Sequence, residues 1–203
     1  MSDRVPFIGL TGGLGAGKSE ALRALDELGA ATLSTDAVVH DLLQGDELRD
    51  LVVDRLGPGV ARNGTLDRSL IAARVFGDDE ARAWLEGELW PRVGARVAAW
   101  RLELDGADPP PRAAVVEVPL LFEAGMASVF DHTIAVVADD AVRAERAGGR
   151  GHAAVAGRTG RQLSQEQKSQ HADFTVRNDG TLEELKQTLS NLLGKIEETP
   201  WHT

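Results

Sequence analysis

Short apolar runs alternate along the chain with longer stretches of helical period. Residues 5–10 form an apolar run that ends in glycines, as a strand buried on both faces does. Residues 18–28 follow as a helix with Ala21, Leu22, Leu25 and Leu28 on one face, and Gly29 is placed to end it. Residues 30–33 read as a weaker second strand. From Asp36 to about Leu104 the pattern is helical, broken at Gly57-Pro58-Gly59. Trp84, Leu85, Leu89, Val93, Val97, Trp100 and Leu104 recur near the 3.6-residue period, and Pro91 is expected to kink or divide that helix. Residues 105–112, with three consecutive prolines, are a loop. Residues 113–118 and 133–138 are β-branched runs that predict buried strands, and 174–176 predict a last short one. Thr181 and Glu184 have the spacing of a capping box that opens a final helix.

Strands separated by helical stretches predict an α/β fold, a three-layer arrangement with a parallel sheet flanked by helices. The helical stretch before residue 113 is too long for one crossover, so residues 39–111 read as an inserted helical lobe. Residues 1–38, 112–140 and 163–203 then form the core domain. A length of 203 residues suits that organisation, and 42% hydrophobic with 27% charged residues is globular composition. The absence of cysteine excludes a disulfide framework, zinc-finger spacing and a thiol nucleophile. No apolar run approaches the roughly 20 residues of a membrane span, and the N-terminus lacks a signal-peptide layout. The expectation is a cytoplasmic protein with no membrane partner, a monomer or small homo-oligomer. A net charge of −10 argues against a broad nucleic-acid surface.

Residues 12–19 read GGLGAGKS, which fits G-x-x-x-x-G-K-[ST]. Glycines let backbone N–H groups close around a polyphosphate where side chains would block it. The helix that follows turns the positive end of its dipole to the same place. Gly13, Leu14, Gly15, Ala16, Gly17, Lys18, Ser19 and Glu20 are therefore the ATP-binding candidates. Lys18 reaches the β- and γ-phosphates, and the Ser19 hydroxyl is the candidate Mg2+ ligand. The motif alone does not separate kinases from GTPases or motor ATPases. No N-K-x-D guanine signature occurs and the chain is short, so a small-molecule kinase leads.

Asp36 directly follows the second strand, where strand ends in open α/β sheets face the ligand crevice. A carboxylate there can orient an acceptor hydroxyl and take its proton, or it can simply cap the next helix. Residues 141–162 carry Arg143, Arg146, Arg150, Arg158 and Arg161 against Glu145 alone, a net +4 inside an acidic chain. Such a segment suits a helical lid that closes over ATP and excludes water; a solvated basic face is the ordinary alternative. It lacks the aromatic platform of a single-strand nucleic-acid site.

GLTGGLGAGKS, Asp36, RNGTLDRSLIAARVF (62–76), VVEVPLLFEAG (115–125), Lys168-Ser169-Gln170-His171-Ala172-Asp173 and NDGTLEEL (178–185) together resemble the dephospho-CoA kinase family. The resemblance spans nearly the whole chain in order. It implies a P-loop fold like that of the nucleoside-monophosphate kinases, and transfer of the ATP γ-phosphate to the 3′-hydroxyl of dephospho-CoA with Mg2+. By position it implies Asp36, Lys18 and Arg146 as catalytic residues. Arg146, Arg150 and Asn178 join the ATP site, with Asn178 meeting either adenine or the loop. Thr11, Asp36, Arg68, Pro119, Leu120 and Leu121 bind the acceptor. Glu117 either holds a Mg2+-bound water or is structural. Glu20, Ser34, Trp90 and Ala147 stand where this family usually has threonine, aspartate, histidine and leucine. Another P-loop small-molecule kinase and a nucleotide-binding regulator without catalysis are the competing readings.

Overall fold

The computed structural model describes residues 5–148 and 162–198. Its strands are β1 (Phe7–Gly12), β2 (Ala31–Ser34), β3 (Ala61–Arg62), β4 (Thr65–Leu66), β5 (Ala114–Glu117), β6 (His132–Val137) and β7 (Phe174–Arg177). Its α-helices are α1 (Lys18–Glu27), α2 (Thr35–Leu42), α3 (Asp46–Leu56), α4 (Arg68–Val75), α5 (Asp79–Leu104), α6 (Asp140–Gly148), α7 (Gln165–His171) and α8 (Leu182–Glu198). The chain divides into two compact units, one within 1–34 and 101–203, the other 35–100.

The first unit holds a five-stranded parallel sheet in the order β2-β5-β1-β6-β7. β1 lies at its centre, flanked by β5 and β6, and is buried along its whole length. That position is why residues 5–10 carry no polar alternation. Ile8, Leu10, Val115, Ile134 and Val136 meet α1 and α8 in one core. From α8 come Leu185, Leu189, Leu192, Leu193 and Ile196, spaced to keep one apolar face inward. The capping box forms as the sequence predicts: Thr181 N–H donates to Glu184 Oε2 at 2.7 Å, and Glu184 N–H to Thr181 Oγ1 at 3.2 Å. Because β1 is central, the residues after Gly12 emerge at the carboxyl edge of the sheet, where open α/β folds bind ligands.

The second unit packs α2, α3, α4 and most of α5 around Leu48, Val52, Leu56, Val60, Ile71 and Leu85. It departs from the expectation of unbroken helix by a small antiparallel hairpin, β3 with β4. Asn63 and Gly64 turn it with φ of 52° and 79°, the two left-handed positions of a tight hairpin turn that an Asn-Gly pair favours. Pro91 does not divide its helix, since α5 runs on through it. Proline cannot donate to the preceding turn, so the Gly87 carbonyl lacks its helical donor, while the next carbonyl takes up a side-chain one. Arg92 Nη1 donates to the Glu88 carbonyl and to its carboxylate, both at 2.7 Å. No helix among the described residues is long and apolar enough to cross a membrane.

Candidate active site

The loop after β1 is folded by its own backbone, with Ala16 N–H donating to the Gly13 carbonyl at 3.3 Å. Gly17 stands at the N-cap of α1 with φ 91°, a left-handed conformation that a side chain would strain. Gly17 brings no side chain to cap α1, whose first turn presents the helix's positive end to the loop. Lys18 Nζ donates to the Gly12 and Gly13 carbonyls, each at 3.1 Å, which holds the ammonium over the loop. Ser19 is exposed, while Leu14 and Gly15 are part-exposed over a buried Ala16. Glu20 lies in the first turn of α1, where the helix dipole favours a negative charge.

Three further residues fix this loop. Asn178, 3% exposed, donates from Nδ2 to the Ala16 carbonyl at 3.0 Å. A Cβ on Gly17 would fall 2.1 Å from that same nitrogen, so the glycine is required by packing as well as by φ. The Asn178 carbonyl accepts Arg146 Nη1 at 3.0 Å. Arg143 Nε donates to the Leu14 carbonyl at 3.0 Å while its Nη1 pairs with Asp140 at 2.8 Å. Asp179 accepts Arg177 Nη1 at 2.8 Å, and this hydrogen bond foremost holds its carboxyl below the ordinary value. Arg150 and most of the expected lid, residues 149–161, lie outside the described residues.

On the acceptor side, residues 119–123 turn directly after β5. Pro119 and Leu120 are part-exposed, but two neighbours expected at the acceptor are not accessible. Leu121 is fully buried and fills the space over Gly9, where an added Cβ would meet the Leu121 Cδ1 at 2.5 Å. Thr11 is likewise buried, its hydroxyl donating to the Pro119 carbonyl at 3.4 Å. Lys168, quoted only as part of a motif, proves to be fully buried beneath this turn. Glu117 is buried on β5, in register with Leu10 and Ser34.

In the second unit, Asp36 sits inside the first turn of α2, which starts at Thr35, so it is not the cap residue of that helix. Its carboxylate is 59% exposed and lies 4.0 Å from Arg68 Nη2. Arg68 opens α4, whose N-cap Asp67 accepts Ser69 N–H at 2.8 Å and Leu70 N–H at 3.2 Å. Two acceptor candidates 32 positions apart are thereby brought together. Among the described residues no group of three or more His, Asp or Glu could hold a metal alone. The donor set that fits Mg2+ is the one the motif offers, the Ser19 hydroxyl together with phosphate oxygens brought by a nucleotide.

A glycine loop between the central strand of a parallel sheet and the helix that follows it, with lysine and serine at its end, defines a P-loop nucleotide-binding protein. A family model for dephospho-CoA kinase matches residues 6–184. The dephospho-CoA kinase of Protochlamydia amoebophila is 38% identical over 194 residues, 93% of this chain and 95% of its own. That of Deinococcus radiodurans is 38% identical over 195 residues, 95% of this chain and 93% of its own. The crystal structure of TT1252 from Thermus thermophilus superimposes with a TM-score of 0.78 at 28% identity, over 95% of this chain and 99% of that one. The chain belongs to the dephospho-CoA kinase family.

Proposed function

We propose that this protein transfers the γ-phosphoryl group of ATP to the ribose 3′-hydroxyl of dephospho-CoA, giving coenzyme A and ADP. The observation that carries the reading is the family match over residues 6–184, which takes in both the phosphate loop and the Asp36–Arg68 pair. Lys18 leaves the Gly12 and Gly13 carbonyls for the β- and γ-phosphates, and the first-turn N–H groups of α1 bind the same polyphosphate. The Ser19 hydroxyl would be the protein ligand of Mg2+, which would supply positive charge to offset that of the nucleotide phosphates. Asp36 orients the 3′-hydroxyl and receives its proton. The new bond joins that oxygen to the γ-phosphorus as the bond to the leaving ADP oxygen breaks. Arg68 holds an acceptor phosphate and keeps a cation beside Asp36. Arg146 exchanges the Asn178 carbonyl for the transferring phosphoryl, and the resemblance adds Arg150 to the ATP-binding residues. Positioning and electrostatics of this kind supply nearly all of the catalysis in phosphoryl transfer.

The test is ADP release with dephospho-CoA as acceptor, beside AMP, shikimate and gluconate, with the product mass measured. Turnover with dephospho-CoA and a mass increase of one phosphoryl group is the expected result. ATP binding with no transfer to dephospho-CoA would overturn the reading.

A further inference from the structure

Lys168 is the largest fully buried side chain of the described residues, and it is a charged one. A buried ammonium is costly unless it is paired and hydrogen-bonded, and a well-packed apolar residue of similar volume often serves stability as well or better. Its Nζ donates to the Pro119 carbonyl at 2.5 Å, pairs with Glu123 Oε1 at 3.0 Å and lies 3.5 Å from Thr11 Oγ1. Both ends of the turn 119–123 are thus gripped by one cation. Glu123 Oε1 also accepts Leu163 N–H at 2.9 Å, while its buried Oε2 has no hydrogen-bond partner among the described residues. Phe122, between the two anchors, stacks at 5.6 Å on His171 of the same helix as Lys168. The turn itself is closed by Ala124 N–H on the Leu120 carbonyl at 2.9 Å, and Lys168 shares the task of holding it beside β1 with Val118 N–H on the Leu10 carbonyl at 2.8 Å and the Thr11 hydroxyl on the Pro119 carbonyl at 3.4 Å.

We propose that Lys168 is a positioning residue for the phosphoryl acceptor: by holding Pro119 and Glu123 it sets the turn that follows β5 against the end of β1. This rests on the reaction proposed above, in which that turn meets dephospho-CoA. The 3.5 Å approach to Thr11 is the weakest of its three contacts, so the nucleotide loop one residue further on depends on it least.

The experiment measures steady-state kinetics of the full chain with ATP and dephospho-CoA. Lys168→Met alone would strand Glu123 as a buried unpaired charge, so the double variant K168M/E123Q, which removes both charges, is the principal one. Its expected behaviour is a cooperative melt, a KM for dephospho-CoA raised about tenfold and a KM for ATP within about twofold of the unaltered chain. Glu123→Asp, which keeps both charges and shortens the reach by one methylene, gives the same split at smaller amplitude and serves if the double variant does not fold. A folded variant with both KM values unchanged, or with both raised equally, overturns the proposal while the reaction stands. An unaltered chain that turns over no dephospho-CoA overturns the reaction, and the assignment of Lys168 with it.

Discussion

The phosphate loop and the acceptor carboxylate are held in contrasting ways. The loop offers main-chain N–H groups, and it is gripped by side chains: Asn178 on Ala16, Arg143 on Leu14, Lys18 on Gly12 and Gly13. Asp36 and Arg68 are 59% and 41% exposed and meet at 4.0 Å. A ligand that binds backbone needs the backbone fixed before it arrives, so the loop is held by several side chains, one of them, Asn178, buried and sterically exacting. A ligand read by side-chain charge tolerates mobile, solvated partners, whose mutual attraction in water is weak. Damage to the first region should therefore show as lost structure together with nucleotide affinity. Damage to the second should show as lost chemistry with stability intact.

The sharpest break is expected at the reacting groups. Asp36→Asn keeps the shape of an exposed residue and removes its basicity, so turnover falls by about 10²–10⁴ while the melting temperature is unchanged. Lys18→Ala lowers turnover by a similar order through lost phosphate stabilisation. Near-normal turnover in either variant removes that residue from its proposed role.

One step smaller, Asn178→Ala and Arg68→Gln set the two regions directly against each other. Asn178→Ala strands the buried Ala16 carbonyl, which costs about 1–3 kcal/mol of stability and raises the KM for ATP. Arg68→Gln removes an exposed cation, leaving stability and the KM for ATP unchanged while the KM for dephospho-CoA rises about tenfold. Denaturant unfolding with both KM values decides it. Stability lost in Arg68→Gln and kept in Asn178→Ala would erase the contrast.

The same contrast explains what the sequence makes legible. The loop announces itself because its chemistry is local: eight consecutive residues carry the glycines, the lysine and the serine, between an apolar run and an amphipathic helix. Sheet strands with continuous apolar runs and the Thr181–Glu184 cap are legible for the same reason. The distant supports are harder to read: Asn178 is marked only by the family resemblance, as meeting adenine or the loop, and Lys168 carries no assigned role there. Asn178 reaches Ala16 across 162 positions, and Lys168 lies 49 positions from Pro119. A lysine carries no sequence signal that it will be buried, since its usual place is the surface. Packing of Leu121 over Gly9 is equally silent in the sequence, because it depends on how the turn after β5 folds back on β1. The hairpin turn at Asn63-Gly64 was readable in its residues, but strands of two residues give no alternation to support it.

The smallest effect concerns the opposite edge of the same sheet, away from the loop, and isolates stability from function. Arg112, just before β5, donates from Nε and Nη2 to the Glu197 carboxylate of α8 at 2.7 and 2.9 Å. That hydrogen bonding holds the Glu197 carboxyl below its ordinary 4.5, against a smaller opposing effect of burial. On acidification the unfolded chain therefore takes up this proton before the folded one. The stabilisation is complete above 4.5 and is lost as pH falls through the lower folded value. With side chains 36% and 37% exposed, the pair is screened, and about 0.5 kcal/mol is the expected scale. Glu197→Gln should thus be slightly less stable than the unaltered chain in urea at about pH 6.5, and the gap should narrow as the pH is taken below 4.5. Turnover should be unchanged, because no contact of this pair reaches the loop or the acceptor turn. A gap that persists in acid would show that packing of the side chain, and not its charge, is what α8 gains from Arg112.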